Sequence, residues 1–179
     1  MNMRFGAIEA GGTKMVCAVG DEQGNILEKI SIPTENPELT MPGIIDFFQN
    51  MQIAALGVGC FGPIDLNRSS KTYGYITTTP KLAWANYNIV GILKEALHCP
   101  IGFDTDVNGS ALGEATWGIT RGLENSIYIT IGTGVGAGII SNGKLLHGML
   151  HPEAGHIILS RHSDDAFEGK CPYHQTRLE

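Results

Sequence analysis

The sequence predicts an α/β fold built on a mixed sheet with helices on its faces, and three observations predict it. Three apolar runs near the start, Phe5 to Glu9, Met15 to Gly20 and Ile26 to Ile32, are joined by turns too short for a crossover. They must form an antiparallel meander. Helical and buried-strand patterns then alternate, which is the signature of crossover helices beside a sheet. Last, an acid, Asp106, stands where an apolar run ends and a helical run begins. In open α/β sheets ligands collect outside the carboxyl ends of the strands, so an acid at that junction is placed to face one.

The first turn, Ala10-Gly11-Gly12-Thr13-Lys14, carries two glycines, a hydroxyl and a lysine. Glycines let backbone N–H groups approach a ligand closely, and successive N–H groups make an anion-binding nest. The plainer alternative is an ordinary Gly-Gly hairpin turn. It is not a P-loop, because a strand follows it and not a helix. Asp21 to Asn25 is a turn cluster, and Ile26 to Ile32 alternates as a strand should.

Pro37 to Met51 reads as a helix, with Pro37 near its start and Leu39, Ile44, Ile45, Phe47 and Phe48 on an apolar stripe. Ile53 to Cys60 is a continuous apolar run, a buried strand, and it ends in a second glycine-containing loop, Phe61 to Asp65. Asn67 to Trp84 shows no clear period, and a long loop inside a compact domain is usually functional or disordered. Asn88 to His98 is a short helix, closed by Pro100, which starts the strand Pro100 to Phe103. The plainer alternative for Asp106 is an N-cap of the helix that runs on through Glu114.

Asn125 to Ile131 reads as a strand, followed by Gly132-Thr133-Gly134-Val135-Gly136-Ala137-Gly138 and a second strand that meets the hairpin signal Asn142-Gly143. Gly132-x-Gly134-x-x-Ala137 fits a loose dinucleotide fingerprint, but that fingerprint must open a helix, and here a strand follows. The loop instead repeats the strand-turn-strand setting of Gly11-Gly12-Thr13.

Composition narrows the function. The 179 residues suffice for one domain or two small ones. A net charge of −6 leaves no basic patch for nucleic acid. No apolar run approaches membrane-spanning length. Met1 to Phe5 runs straight into a strand pattern, which speaks against a signal peptide. Cys17, Cys60 and Cys99 sit in or beside apolar runs, as free thiols do in a reducing cytosol.

The element order β-β-β-α-β-α-β is that of an actin-like, ribonuclease-H-like lobe. Glu9-Ala10-Gly11-Gly12-Thr13-Lys14, the junction Thr105-Asp106-Val107-Asn108 and the run Thr77 to Trp84 together resemble the ROK family of sugar kinases, most closely its fructokinase branch. The resemblance implies an actin-like ATPase fold, with a full N-terminal lobe over 1–108 and the start of an incomplete second lobe over 109–179. It implies a small-molecule sugar and a nucleotide as ligands, ATP with Mg²⁺ as donor, D-fructose as acceptor, a cytoplasmic enzyme and a homodimer. Asp106 becomes the general base. Gly11, Gly12, Thr13 and Lys14 on one side, and Gly132, Thr133 and Gly134 on the other, become the nucleotide-binding residues. Thr105 stands where much of the family has Asn, and becomes a sugar contact.

His151-Pro152-Glu153-Ala154-Gly155-His156 resembles the family's Glu-x-Gly-His motif. There the Glu and His contact sugar hydroxyls and the His is also a metal ligand, so Glu153 and His156 join the expected sugar site. Both otherwise read as surface residues of a polar loop. Cys171-x2-His174 has metal-ligand spacing, and with His156 it makes three candidate ligands for Zn²⁺. Closed structural zinc sites take four, and Arg177 stands where the family supplies a further Cys. After Glu114 to Trp117 no helix pattern remains, while the family's chains continue with helices that cover this sheet. The expectation is a fragment with exposed apolar surface.

Overall fold

The computed structural model describes residues 3–132, 134–148, 151–157, 160 and 162–167. The chain divides into two compact units, Met1–Ser110 and Ala111–Glu179.

In the first unit β1 (Phe5–Ala10), β2 (Lys14–Gly20) and β3 (Ile26–Pro33) form the expected antiparallel meander. On the other side of β1, β4 (Ala55–Cys60) pairs in parallel, and β5 (Ile101–Thr105) pairs in parallel with β4. The sheet order is β3-β2-β1-β4-β5. Parallel neighbours need crossovers, and α1 (Pro37–Gln49) and α2 (Ile89–Leu97) supply them.

Both helices begin on side-chain caps. The Asn36 Oδ1 accepts from the Leu39 N–H at 3.0 Å, with Pro37 at the first helical position. The Asn88 Oδ1 accepts from the Gly91 N–H at 2.8 Å. α2 ends on His98 in the left-handed region, φ 51°, two residues before Pro100.

Period-two alternation sends Ile8 and Ala10, then Met15, Cys17 and Val19, then Leu56, Val58 and Cys60 into one buried layer. α1 adds Met41, Ile44 and Phe48 to it, and α2 adds Ile89, Val90 and Leu93. The sequence reading put helices on the faces of the sheet; α1 and α2 both pack on this layer, and the helix that starts at Asp106 begins against Gly59 on the opposite face. The opposite row, Ala7, Gly57 and Gly102, lies in register and exposed. Methyls and hydrogens there give a helix little apolar surface to bury.

The stretch without a period is ordered by bonds between distant backbone groups. Ile76 bridges to Ile64 on one side and to Tyr87 on the other, and Ile76 is fully buried. A single 3₁₀ turn, Leu82–Trp84, seats Trp84 at 1% exposure. Its indole N–H donates to the Glu35 carbonyl at 2.7 Å, and its ring meets Phe61 and Tyr87 edge-on.

Burial pushes the Cys17 thiol up to about 12, and it raises Cys60 too, with the nearby Asp106 charge adding to the effect. The thiolate is the reactive form. At pH 8 a maleimide is therefore expected to label Cys17 and Cys60 only after urea unfolds the protein, as read by peptide mass mapping.

α3 (Asp106–Thr116) carries the division between the units. In the second unit β6 (Ser126–Ile131), β7 (Val135–Ser141) and β8 (Lys144–Leu145) form an antiparallel sheet in that order. Asn142 and Gly143, with φ of 51° and 71°, make the two-residue turn that Asn-Gly foretells. Ile127, Ile129 and Ile131 alternate along β6 and are 59%, 59% and 82% exposed. After α3 the helical structure among the described residues is one 3₁₀ turn, Ala154–His156. The expected uncovered apolar face is present. No helix of the described residues is long and apolar enough to cross a membrane.

Candidate active site

Register gathers the first unit's chemistry at one sheet edge. Ala10, Cys60 and Thr105 are cross-strand partners at the carboxyl ends of three parallel strands. The residues that leave those ends, Gly11, Phe61 and Asp106, therefore emerge side by side. Two strand spacings put Gly11 and Asp106 about 10 Å apart along that edge.

The β1–β2 turn is built for glycine. The Gly11 N–H donates to the Lys14 carbonyl at 3.1 Å, and a Cβ on Gly11 would lie 2.7 Å from that same oxygen. The end of β3 fixes the turn from outside: the Thr34 hydroxyl donates to the Gly11 carbonyl at 2.7 Å, and the Thr34 N–H to the Thr13 carbonyl at 3.0 Å. Thr13 and Lys14 are exposed. The rigid frame thus belongs to the backbone, and the hydroxyl and ammonium point to solvent.

At the β5–α3 junction the helix cap is Thr105, not Asp106. The Thr105 Oγ1 accepts from the Asn108 N–H at 3.2 Å, while Asp106 is already the first helical residue. The strand runs two residues further than the apolar run suggested, which moves the cap with it. Capping by Thr105 frees Asp106 from that duty, although its Oδ1 accepts from the Val107 N–H at 2.9 Å. Thr105 is 5% exposed.

Two residues without an assigned role hold this junction. The Asp104 Oδ1 accepts from the Thr105 N–H at 2.8 Å and from the Asn108 Nδ2 at 2.8 Å. Asn108 is fully buried, and its Oδ1 has no hydrogen-bond partner. The i, i+4 spacing of Asp104 and Asn108 was the available signal. Gly59 completes the fit: a Cβ there would press on the Asp106 Cα at 3.3 Å. Asn108→Ala is expected to lower stability by about 1–3 kcal/mol in urea unfolding, since it strips Asp104 of a buried donor.

In the second unit the Gly132 N–H donates to the Gly134 carbonyl at 2.9 Å, closing the β6–β7 turn. Gly132 and Gly134 are exposed, and a Cβ on Gly132 would meet nothing within 4 Å. Thr133 lies outside the described residues. Glu153, exposed and at φ 49°, opens the 3₁₀ turn in which the His156 N–H donates to its carbonyl at 2.9 Å. Gly155 packs directly on the Val135 carbonyl, where no Cβ fits. That glycine brings the Glu153–His156 segment against the strand that leaves the second glycine turn. Cys171 and His174 lie outside the described residues. Among the described residues no three His, Cys, Asp or Glu side chains come together to hold a metal ion.

A meander, two crossovers and an acid at the third parallel strand end, followed by a second glycine-turn hairpin, make an actin-like ATPase fold. The chain belongs to the ROK family, whose model matches residues 5–177. It is 52% identical to the fructokinase of Lactococcus lactis subsp. cremoris over 100% of this chain and 61% of that protein. It is 46% identical to the fructokinase of Zymomonas mobilis over 95% of this chain and 59% of that protein. Among solved structures, a ROK family glucokinase from Streptomyces griseus, in complex with glucose and AMPPNP, superposes with a TM-score of 0.70 at 29% identity. That match covers 89% of this chain and 51% of the glucokinase. The chain thus spans about three fifths of the length of the fructokinases it matches.

Proposed function

We propose that this protein is an ATP-dependent fructokinase. The observation that carries the reading is the carboxylate of Asp106, set beside a backbone-fixed glycine turn at one sheet edge. Fructokinase relatives at about half identity support the choice of acceptor.

Asp106 accepts the proton of the sugar's primary hydroxyl as that oxygen bonds to the γ-phosphorus of ATP. The bond from that phosphorus to the β-phosphate oxygen breaks, and ADP leaves with D-fructose 6-phosphate as the other product. Gly11, Gly12, Thr13 and Lys14, with Gly132, Thr133 and Gly134, hold the donor's phosphates. A turn held by the Gly11 N–H, with the bare Gly12 and the exposed Lys14 beside it, suits a phosphate. Mg²⁺ accompanies those phosphates and offsets their charge. Glu153, His156 and Thr105 hold the sugar; a carboxylate accepts from two neighbouring hydroxyls. In this reading 1–108 is the first lobe and 109–179 the start of the second. A homodimer belongs to the same reading, and the exposed Ile127, Ile129 and Ile131 favour association of a chain of this length.

Zinc enters only through the spacing of Cys171 and His174 with His156. One zinc per chain by emission spectroscopy, lost in His174→Ala, supports it; metal-free protein removes it.

A panel of hexoses with Mg-ATP tests the acceptor. D-fructose is expected to give the highest kcat/KM. A preference for glucose or mannose would keep the kinase and change its substrate.

A further inference from the structure

Lys81 stands out as a cation that the mechanism above does not use. Its Cε lies 3.3 Å from the position a Cβ on Gly12 would occupy, so its stem crosses the β1–β2 glycine turn. Among the described residues the Lys81 ammonium makes no ion pair and no hydrogen bond, in a chain of net charge −6. An unpaired ammonium whose stem lies over the glycine turn is placed for an anion bound at that turn.

The backbone beneath it is fixed. The Lys81 N–H donates to the Thr79 hydroxyl at 3.3 Å, and Thr79 is buried. The Lys81 carbonyl accepts from the Trp84 N–H at 2.8 Å, and Trp84 is anchored in the core. The loop that carries the lysine is therefore anchored to the core. Any side chain at position 12 would press on the lysine stem.

We propose that Lys81 is a second phosphate-binding cation of the first glycine turn, and that with Lys14 it holds the terminal phosphate of a nucleoside triphosphate. The inference rests on the kinase reading, because it needs a phosphate at that turn. Two ammonium groups on one terminal phosphate balance charge where it accumulates during transfer. A lysine suits this as a compact point charge.

The test is calorimetry on the full chain with Mg-ATP, inorganic triphosphate and D-fructose, for wild type, Lys81→Met and Lys81→Arg. Lys81→Met is expected to weaken ATP and triphosphate by about tenfold or more, the worth of one charge-assisted contact. Fructose affinity is expected to stay within about twofold, and Lys81→Arg to recover most of the phosphate affinity because it keeps the charge. Unchanged triphosphate binding in Lys81→Met, with wild type binding well, overturns the inference and leaves the kinase reading intact. Weakened fructose binding with unchanged triphosphate binding also overturns it, by moving Lys81 to the sugar. A wild type that binds neither ATP nor triphosphate overturns the kinase reading, and the inference with it.

Discussion

Asp106→Asn is expected to lower kcat with fructose by about 10²–10⁴, the range a positioned general base contributes. The amide keeps the size of the carboxylate and the hydrogen bond from the Val107 N–H, but it cannot take the hydroxyl proton. Fructose affinity, measured by calorimetry, is expected to change little. The junction keeps its geometry because Thr105 caps the helix and Asp104 and Asn108 tie it to the strand. A variant that turns over at the wild-type rate would show that the proton goes elsewhere. One that fails to fold would show that the carboxylate holds the junction itself.

The largest stability effect is expected at Trp84. Truncation to Ala removes a side chain only 1% exposed and empties a space lined by Phe61 and Tyr87. Such truncations cost about 3–5 kcal/mol. The Glu35 carbonyl also loses its donor, which adds about 1 kcal/mol or more. Against a total of about 5–15 kcal/mol, that removes a large share of the stability. Urea unfolding reads it directly. Trp84→Phe is expected to cost less, because it keeps most of the volume and loses the indole N–H. A loss below about 1 kcal/mol for Trp84→Ala would mean that the neighbouring rings collapse into the space.

Local pattern carried much of the fold. The meander was visible because its turns are too short to cross over, and the crossover helices were marked by Pro37 with its apolar stripe and by the run from Asn88 to Pro100. That loops leave strand ends at Phe61 and Asp106 was also legible, and the strand order then set Gly11 on the same edge. What pattern missed is non-local. Asn67 to Trp84 has no period because its order comes from the bridges Ile64 to Ile76 and Ile76 to Tyr87, which no repeat encodes. Lys81 meets Gly12 across a far longer stretch of sequence. The cap moved from Asp106 to Thr105 because both residues cap well and the strand's length decided between them. That α1 and α2 share one face was hidden, because the pattern of a crossover helix does not say which face of the sheet it covers.

The central claim is that this site couples ATP cleavage to a sugar hydroxyl. Measuring ADP and fructose 6-phosphate in the same reaction, with and without D-fructose, tests it most directly. Equal amounts of both products, formed only when fructose is present, are the expected result. ADP formed at the same rate without fructose, or with no sugar phosphate beside it, would contradict the claim.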